Sequence, residues 1–196
     1  MTRARAAILA VEDAVAQAVG EKICAKCAID VARVIGLKGK GYLKTRADGL
    51  NRAAAGFPVI MFVDQDRKQD CPPNLLSTWF AGPLKRSFTL CVSVMEVESW
   101  LLADRAAFAS FLGIPAAKVP ERPDLIPRPK ERIVSLARQS RHKTTRITLV
   151  PAEGSTAAVG PQYNPCLVDW VARKWSPRRA ARRSESLART VRKLEV

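Results

Sequence analysis

Pro58-Val59-Ile60-Met61-Phe62-Val63-Asp64-Gln65-Asp66 is the stretch that decides the fold. Residues 58–63 are apolar without a break, and the run is too short for an ordinary helix. Gly56 and Pro58 mark its start. A strand with no polar alternation is one covered on both faces, which is the situation inside a parallel sheet. Parallel strands need long crossovers, usually helical, so helices are expected on either side.

The flanking sequence fits that alternation. Residues 6–11 form a short apolar run, read as a first strand. Val15, Val19, Ile23 and Cys27 recur at steps of four, which predicts a helix over 13–27. A β-branched run at 31–35 reads as a second strand. Gly36-Leu37-Lys38-Gly39-Lys40-Gly41 reads as a basic glycine-rich loop before a helix over 42–55. Beyond the central stretch come a short helix at 74–80 and a strand at 88–94. A helix is expected from 98 to 103, extended or repeated through Phe108 and Phe111 to Gly113. Prolines at 115, 120, 123, 127 and 129 mark a linker. After it the pattern predicts a helix over 130–138, an extended or edge-strand segment at 147–150, a helix within 161–175 and one basic helix over 176–196. The expected organisation is an α/β core over 1–114, with a mainly parallel sheet and helices on both faces. A basic helical extension over 115–196 packs on that core.

Composition narrows the partners. Lys and Arg number 33 against 18 Asp and Glu, a net charge of +15. That balance favours a polyanionic partner: DNA, RNA or an anionic membrane. No apolar run approaches the roughly 20 residues of a membrane span, so no membrane role is expected and the cytoplasm is the expected location. Five cysteines, an odd count, argue against a disulfide framework. Cys24 and Cys27 form a CxxC, but His142 is the only histidine, so a zinc site lacks ligands and small buried thiols on a helix are expected instead.

The acids carry the chemistry. Ligands of open α/β sheets gather beyond the carboxyl ends of the strands. Glu12 follows the first strand, Asp64 and Asp66 the third, and Glu96 and Glu98 the fourth. Crowded carboxylates repel one another, and a hard divalent ion such as Mg²⁺ or Mn²⁺ relieves that repulsion. An acid after a strand also serves as a helix N-cap, a role open to Asp13. Lys38, Lys40 and Arg67 lie near the same edge and suit phosphate contact. Arg178, Arg179, Arg182 and Arg183 form a second basic group suited to a nucleic-acid backbone. The Lys38–Lys40 loop lacks the GxxxxGK[ST] pattern, so ATP hydrolysis is not expected.

Val11-Glu12 after the first strand and Phe62-Val63-Asp64-Gln65-Asp66 after the third resemble the Toprim domain of topoisomerases, primases and OLD-type nucleases. Further motifs are Cys71-Pro72-Pro73, Glu96-Val97-Glu98-Ser99-Trp100, Phe111-Leu112-Gly113, Pro129-Lys130 and Val159-Gly160-Pro161-Gln162-Tyr163-Asn164. With them the chain resembles a bacterial Toprim-like family of unknown function, whose members lie near ATPase genes in defence-type neighbourhoods. The resemblance implies metal-dependent nucleic-acid cleavage or strand manipulation, on DNA before RNA, with an ATPase as a partner. It assigns Glu12, Asp64 and Asp66 to catalysis and metal binding, and Glu98 to a second metal or to support of the first. Many Toprim domains carry glycine after the glutamate and another acid a few residues on. Here Asp13 and Ala16-Gln17 stand there, which leaves the number of metals open. The alternative expectation is a non-catalytic nucleic-acid-binding or ATPase-regulating module on the same scaffold.

Overall fold

A computed structural model of the chain describes residues 5–65 and 72–195. Strands β1 (Arg5–Val11), β2 (Ile29–Gly36), β3 (Val59–Asp64) and β4 (Phe88–Ser93) pair in parallel, in the order β2-β1-β3-β4. The fold is α/β. Helix α1 (Ala14–Lys26) connects β1 to β2, and α2 (Gly39–Ala53) carries the chain back past β1 to β3. The two crossovers run in opposite directions along the sheet. With right-handed connections they must lie on opposite faces.

The side chains show the same division. On β3, Ile60 and Phe62 join one apolar cluster with α1, while Val59, Met61 and Val63 join another with α2 and α3 (Pro72–Trp79). Both faces of this strand are thus covered, which is why its sequence has no polar alternation. Each large side chain so enclosed contributes roughly 1.5–3 kcal/mol through burial.

After β4 the chain forms α4 (Glu98–Ala103), α5 (Arg105–Leu112), α6 (Pro129–Ala137), α7 (Lys143–Leu149), α8 (Tyr163–Arg173), α9 (Pro177–Ala180) and α10 (Glu185–Leu194). All six residues of α4 are buried. Ile133, Leu167, Trp170, Leu187 and Leu194 enter the same apolar cluster as α1 and β1. Polar ties reinforce that packing. Trp100 Nε1 donates to Ser186 Oγ at 2.7 Å, and Trp175 Nε1 donates to the Trp100 carbonyl at 3.0 Å.

Three sequence expectations are corrected. Residues 147–150 fall in and just after helix α7 and are not a strand. Leu149 is buried while Ile147 is 59% exposed, a one-sided burial that overrides the β-branched local preference. The helical stretch over 98–113, expected as one extended helix or a repeated one, takes the second form. Asp104 breaks it, and its carboxylate accepts from the Ser176 N–H at 2.9 Å and pairs with Arg179 at 2.7 Å. The basic helix expected over 176–196 is also two, because Ser184 caps a new start at α10 by accepting from the Leu187 N–H. Gly39 to Gly41 belong to the first turn of α2, where only residues 37 and 38 remain loop. No helix among the described residues is long and apolar enough to cross a membrane.

Candidate functional site

The strand order places a switch point between β1 and β3, whose outgoing connections diverge to opposite sides of the sheet. Such a divergence opens a crevice beyond the carboxyl ends of the two strands. Glu12 follows β1, and Asp64 ends β3. The Asp64 backbone N–H donates to Glu12 Oε1 at 3.0 Å, which fastens the two acids together across the crevice. Ser93, at the end of β4, donates its hydroxyl to Asp64 Oδ1. The Gln65 N–H extends the ladder one step further, to the Ser93 carbonyl at 3.0 Å. Asp13 is the N-cap of α1, accepting from the Ala16 N–H at 2.8 Å.

The β2–α2 loop is folded onto this edge. Gly36 has φ +119°, and a Cβ there would overlap the Val11 carbonyl oxygen, so only glycine fits. The close approach lets the Leu37 N–H reach the Val11 carbonyl at 3.1 Å and the Gly39 N–H reach the Glu12 carbonyl at 2.9 Å. Lys40 then donates from Nζ to the Asp64 carbonyl at 2.7 Å. Lys38 lies over the Tyr42 ring, 5.3 Å from its centroid.

Glu98 is not at a strand end. It occupies the first turn of α4 and is only 1% exposed. Two groups face it. Tyr163 Oη donates to Glu98 Oε1 at 3.3 Å, and Lys130 Nζ lies 3.5 Å from the same oxygen. Tyr163 is set by a tight approach at Gly160, whose N–H donates to the Leu149 carbonyl at 3.0 Å and whose missing Cβ leaves room for residues 148–150. Lys130 sits in the first turn of α6, where its N–H donates to Glu96 Oε2 at 2.7 Å.

Electrostatics separate the two acids. Burial, together with the charges of Glu12, Glu98 and Asp13, pushes the Asp64 carboxyl well above the usual range, against the Ser93 hydrogen bond. Burial pushes Glu98 up to about 7 against the pull of Lys130, with Glu96 and Asp13 adding to the rise. Burial draws the Lys130 pKa down, but Glu98, Glu96, Asp13 and Asp64 outweigh it and hold the ammonium above its ordinary value. Burial and the Glu98 charge raise Tyr163, which keeps its proton.

Glu12, Asp64 and Lys40 are thus brought together, with Lys38 close by on the same loop. Asp66 and Arg67 lie outside the described residues. The arginines at 178, 179, 182 and 183 are exposed. Arg179 pairs with Asp104, six residues and about 9 Å along the chain of α4 from Glu98. Among the described residues no three His, Cys, Asp or Glu side chains form a group able to hold a metal. Glu12 and Asp64 supply two hard carboxylates with an excess of negative charge. That donor chemistry suits Mg²⁺ or Mn²⁺, which use one or two carboxylates and complete their shells with water and phosphate oxygens.

Ser93, Lys130 and Tyr163 were not singled out for roles by sequence reasoning. Ser93 could have been found from its place one step beyond the apolar run of the fourth strand. Lys130 and Tyr163 lie 32 and 65 residues beyond Glu98 in the chain, and no local spacing links them to it. Comparison with protein-family models, with curated proteins and with solved structures finds no match to this chain.

Proposed function

We propose that the chain is a metal-dependent phosphodiesterase acting on nucleic acid, DNA before RNA, with the crevice between β1 and β3 as its reaction site. The observation that carries this reading is the half-buried Asp64 carboxyl. It is tied to Glu12 through its own backbone N–H and surrounded by negative charge, and no described cation pairs with it. A divalent ion is the group that stabilises such a site while leaving positions for a phosphate. Glu12 and Asp64 would hold Mg²⁺ or Mn²⁺, and Asp66 is the further carboxylate that the Toprim resemblance assigns. When bound, the ion supplies Lewis-acid polarisation of the phosphodiester and charge for the leaving oxygen.

The chain's own groups do the rest. Ser93 orients the Asp64 carboxylate by donating to one of its oxygens. Lys40 fixes the β3 terminus through the Asp64 carbonyl, and Lys38 beside it attracts the phosphate backbone. The exposed arginines at 178, 182 and 183 add a salt-sensitive, sequence-indifferent attraction. The test is cleavage of single- and double-stranded DNA and RNA with Mg²⁺ or Mn²⁺. Activity is expected to be lost with chelator and in Asp64→Ala; full activity in that variant defeats the assignment.

A second reading is favoured by one observation, the lack of a three-member metal group among the described residues. On that reading the chain is a nucleic-acid-binding or ATPase-regulating module. It predicts salt-dependent binding that chelator leaves unchanged, with no cleavage by the chain alone or with an ATPase partner.

A further inference from the structure

The acidic cluster has two halves with different supplies of positive charge. At Glu12 and Asp64 the Lys40 ammonium is taken up by the Asp64 backbone carbonyl at 2.7 Å, and no described cation pairs with the Asp64 carboxylate. At Glu96 and Glu98 an ammonium is already in place. Lys130 Nζ lies 3.5 Å from Glu98 Oε1, and its side chain remains 37% exposed while that of Glu98 is 2% exposed. The ammonium therefore sits at the outer side of the buried carboxylate, where an ion arriving from solvent would have to sit.

Its position is built into the fold. Pro129 and Lys130 open α6, the Lys130 N–H is held by the Glu96 carboxylate, and α6 packs on α4, which carries Glu98. The field on Lys130 comes from both halves of the cluster, from Glu98, Glu96 and Asp13 and also from Asp64. Two-metal phosphodiesterases hold their ions about 3.5–4 Å apart, with carboxylates serving each. Here a second dication beside Glu98 would face the Lys130 ammonium at close range, and like charges at that spacing in a partly enclosed site repel strongly.

Resting on the metal reading above, we propose that the Lys130 ammonium occupies the second-cation position. The site then takes a single divalent ion, at Glu12 and Asp64. Lys130 is a positioning residue on this account. It neutralises Glu98 and excludes a second ion.

The test counts bound Mn²⁺, with the metal alone as probe and the full chain at pH 8, by calorimetry and by the electron-paramagnetic-resonance signal of free Mn²⁺. Wild type is expected to bind one ion, Lys130→Arg one, and Lys130→Met two. Two ions in the wild type overturn the proposal and leave the metal reading standing. No ion in any of the three proteins overturns the metal reading itself, and the proposal with it. One ion in both the wild type and Lys130→Met overturns the proposal, as does a second ion in Lys130→Arg. Near-UV circular dichroism of the tryptophans checks folding. Should Lys130→Met lose that signal, Lys130→Gln, which keeps a hydrogen-bond donor for Glu98, carries the same expectation of two ions and the same overturning result.

Discussion

Asp64 and Glu98 are neighbouring acids in one cluster, each acting on the other's surroundings, yet they are housed differently. Glu98 is enclosed on the first turn of a buried helix and is answered from inside the protein, by the Lys130 ammonium and the Tyr163 hydroxyl. Asp64 ends a strand at the crevice and receives a hydroxyl from Ser93; Lys40 meets its backbone carbonyl, while no described cation pairs with its carboxylate, which Glu12, Glu98 and Asp13 crowd with negative charge. A buried carboxylate supplied with a cation and hydrogen bonds is a finished structural unit. One left with its negative neighbours is a site that stabilises further when a cation arrives. The difference teaches that burial alone does not mark a functional acid. What marks it is burial whose cost the chain has not met.

The largest expected effect comes from removing the unmet charge. Asp64→Asn keeps the shape and the Ser93 contact but not the negative charge. Mn²⁺ affinity is expected to fall by about 100-fold or more, as for the loss of a direct ligand. The metal-free protein should gain stability, on the order of 1–3 kcal/mol at pH 8, because a strained ionisation is gone. Calorimetric titration and melting curves read the two changes separately. Unchanged Mn²⁺ affinity together with an unchanged Tm would erase the contrast between the acids.

Next in size is the pH dependence set by Glu98, whose pKa in the fold is about 7 against an ordinary 4.5. The folded protein holds this proton more tightly than the unfolded chain does. Its contribution to stability is therefore full below pH 4.5, fades as the pH rises, and is gone above about 7. The difference between those limits is about 3 kcal/mol. Urea unfolding of metal-free protein across that window should show the decline, and Glu98→Gln should flatten it. A wild-type curve rising over the same window would reverse the assignment.

A smaller effect tests the supply to Glu98. Tyr163→Phe removes a donor at 3.3 Å from its carboxylate and is expected to cost about 1 kcal/mol. The Glu98 transition should move upward in pH, since the lost hydrogen bond favoured the ionised form. A downward movement, followed by NMR of a carboxyl-labelled glutamate, would mean that the hydroxyl serves the protonated form instead.

The smallest expected effect on stability belongs to the exposed arginines of the C-terminal region. Replacing Arg178, Arg182 and Arg183 together with alanine should alter stability by no more than about 0.5 kcal/mol, as they are exposed. Nucleic-acid binding should weaken, and the slope of log K against log salt should fall by up to about one for each arginine that meets a phosphate. An unchanged slope would confine phosphate contact to the Lys38–Lys40 loop.

Much of the fold was legible in local pattern. The unbroken run before Asp64 announced a strand covered on both faces, and the four-residue steps at Val15, Val19 and Ile23 announced the buried side of α1. The pairing of Glu12 with Asp64 followed from strand ends alone. The errors fell where the deciding contact is distant. The single basic helix expected over 176–196 restarts at Ser184, whose hydroxyl is held by the Asp124 carboxylate 60 residues away, as is the Ser186 N–H. Residues 147–150 turn helical because Leu149 is buried in the shared core, a demand that Thr-Arg-Ile-Thr does not reveal by itself.

By itself the sequence determined the parallel α/β class, the strand ends that carry the acids, and the strong positive charge. These follow from periodicity, chain direction and composition, which are local or additive properties. Only the tertiary structure decided which acids are answered. Glu98 acquires Lys130 from α6 and Tyr163 from α8, while Asp64 acquires Glu12 from the neighbouring strand. Charge compensation depends on distances between segments remote in the chain, and it sets the pKa of each carboxyl through burial and neighbours that no sequence window contains.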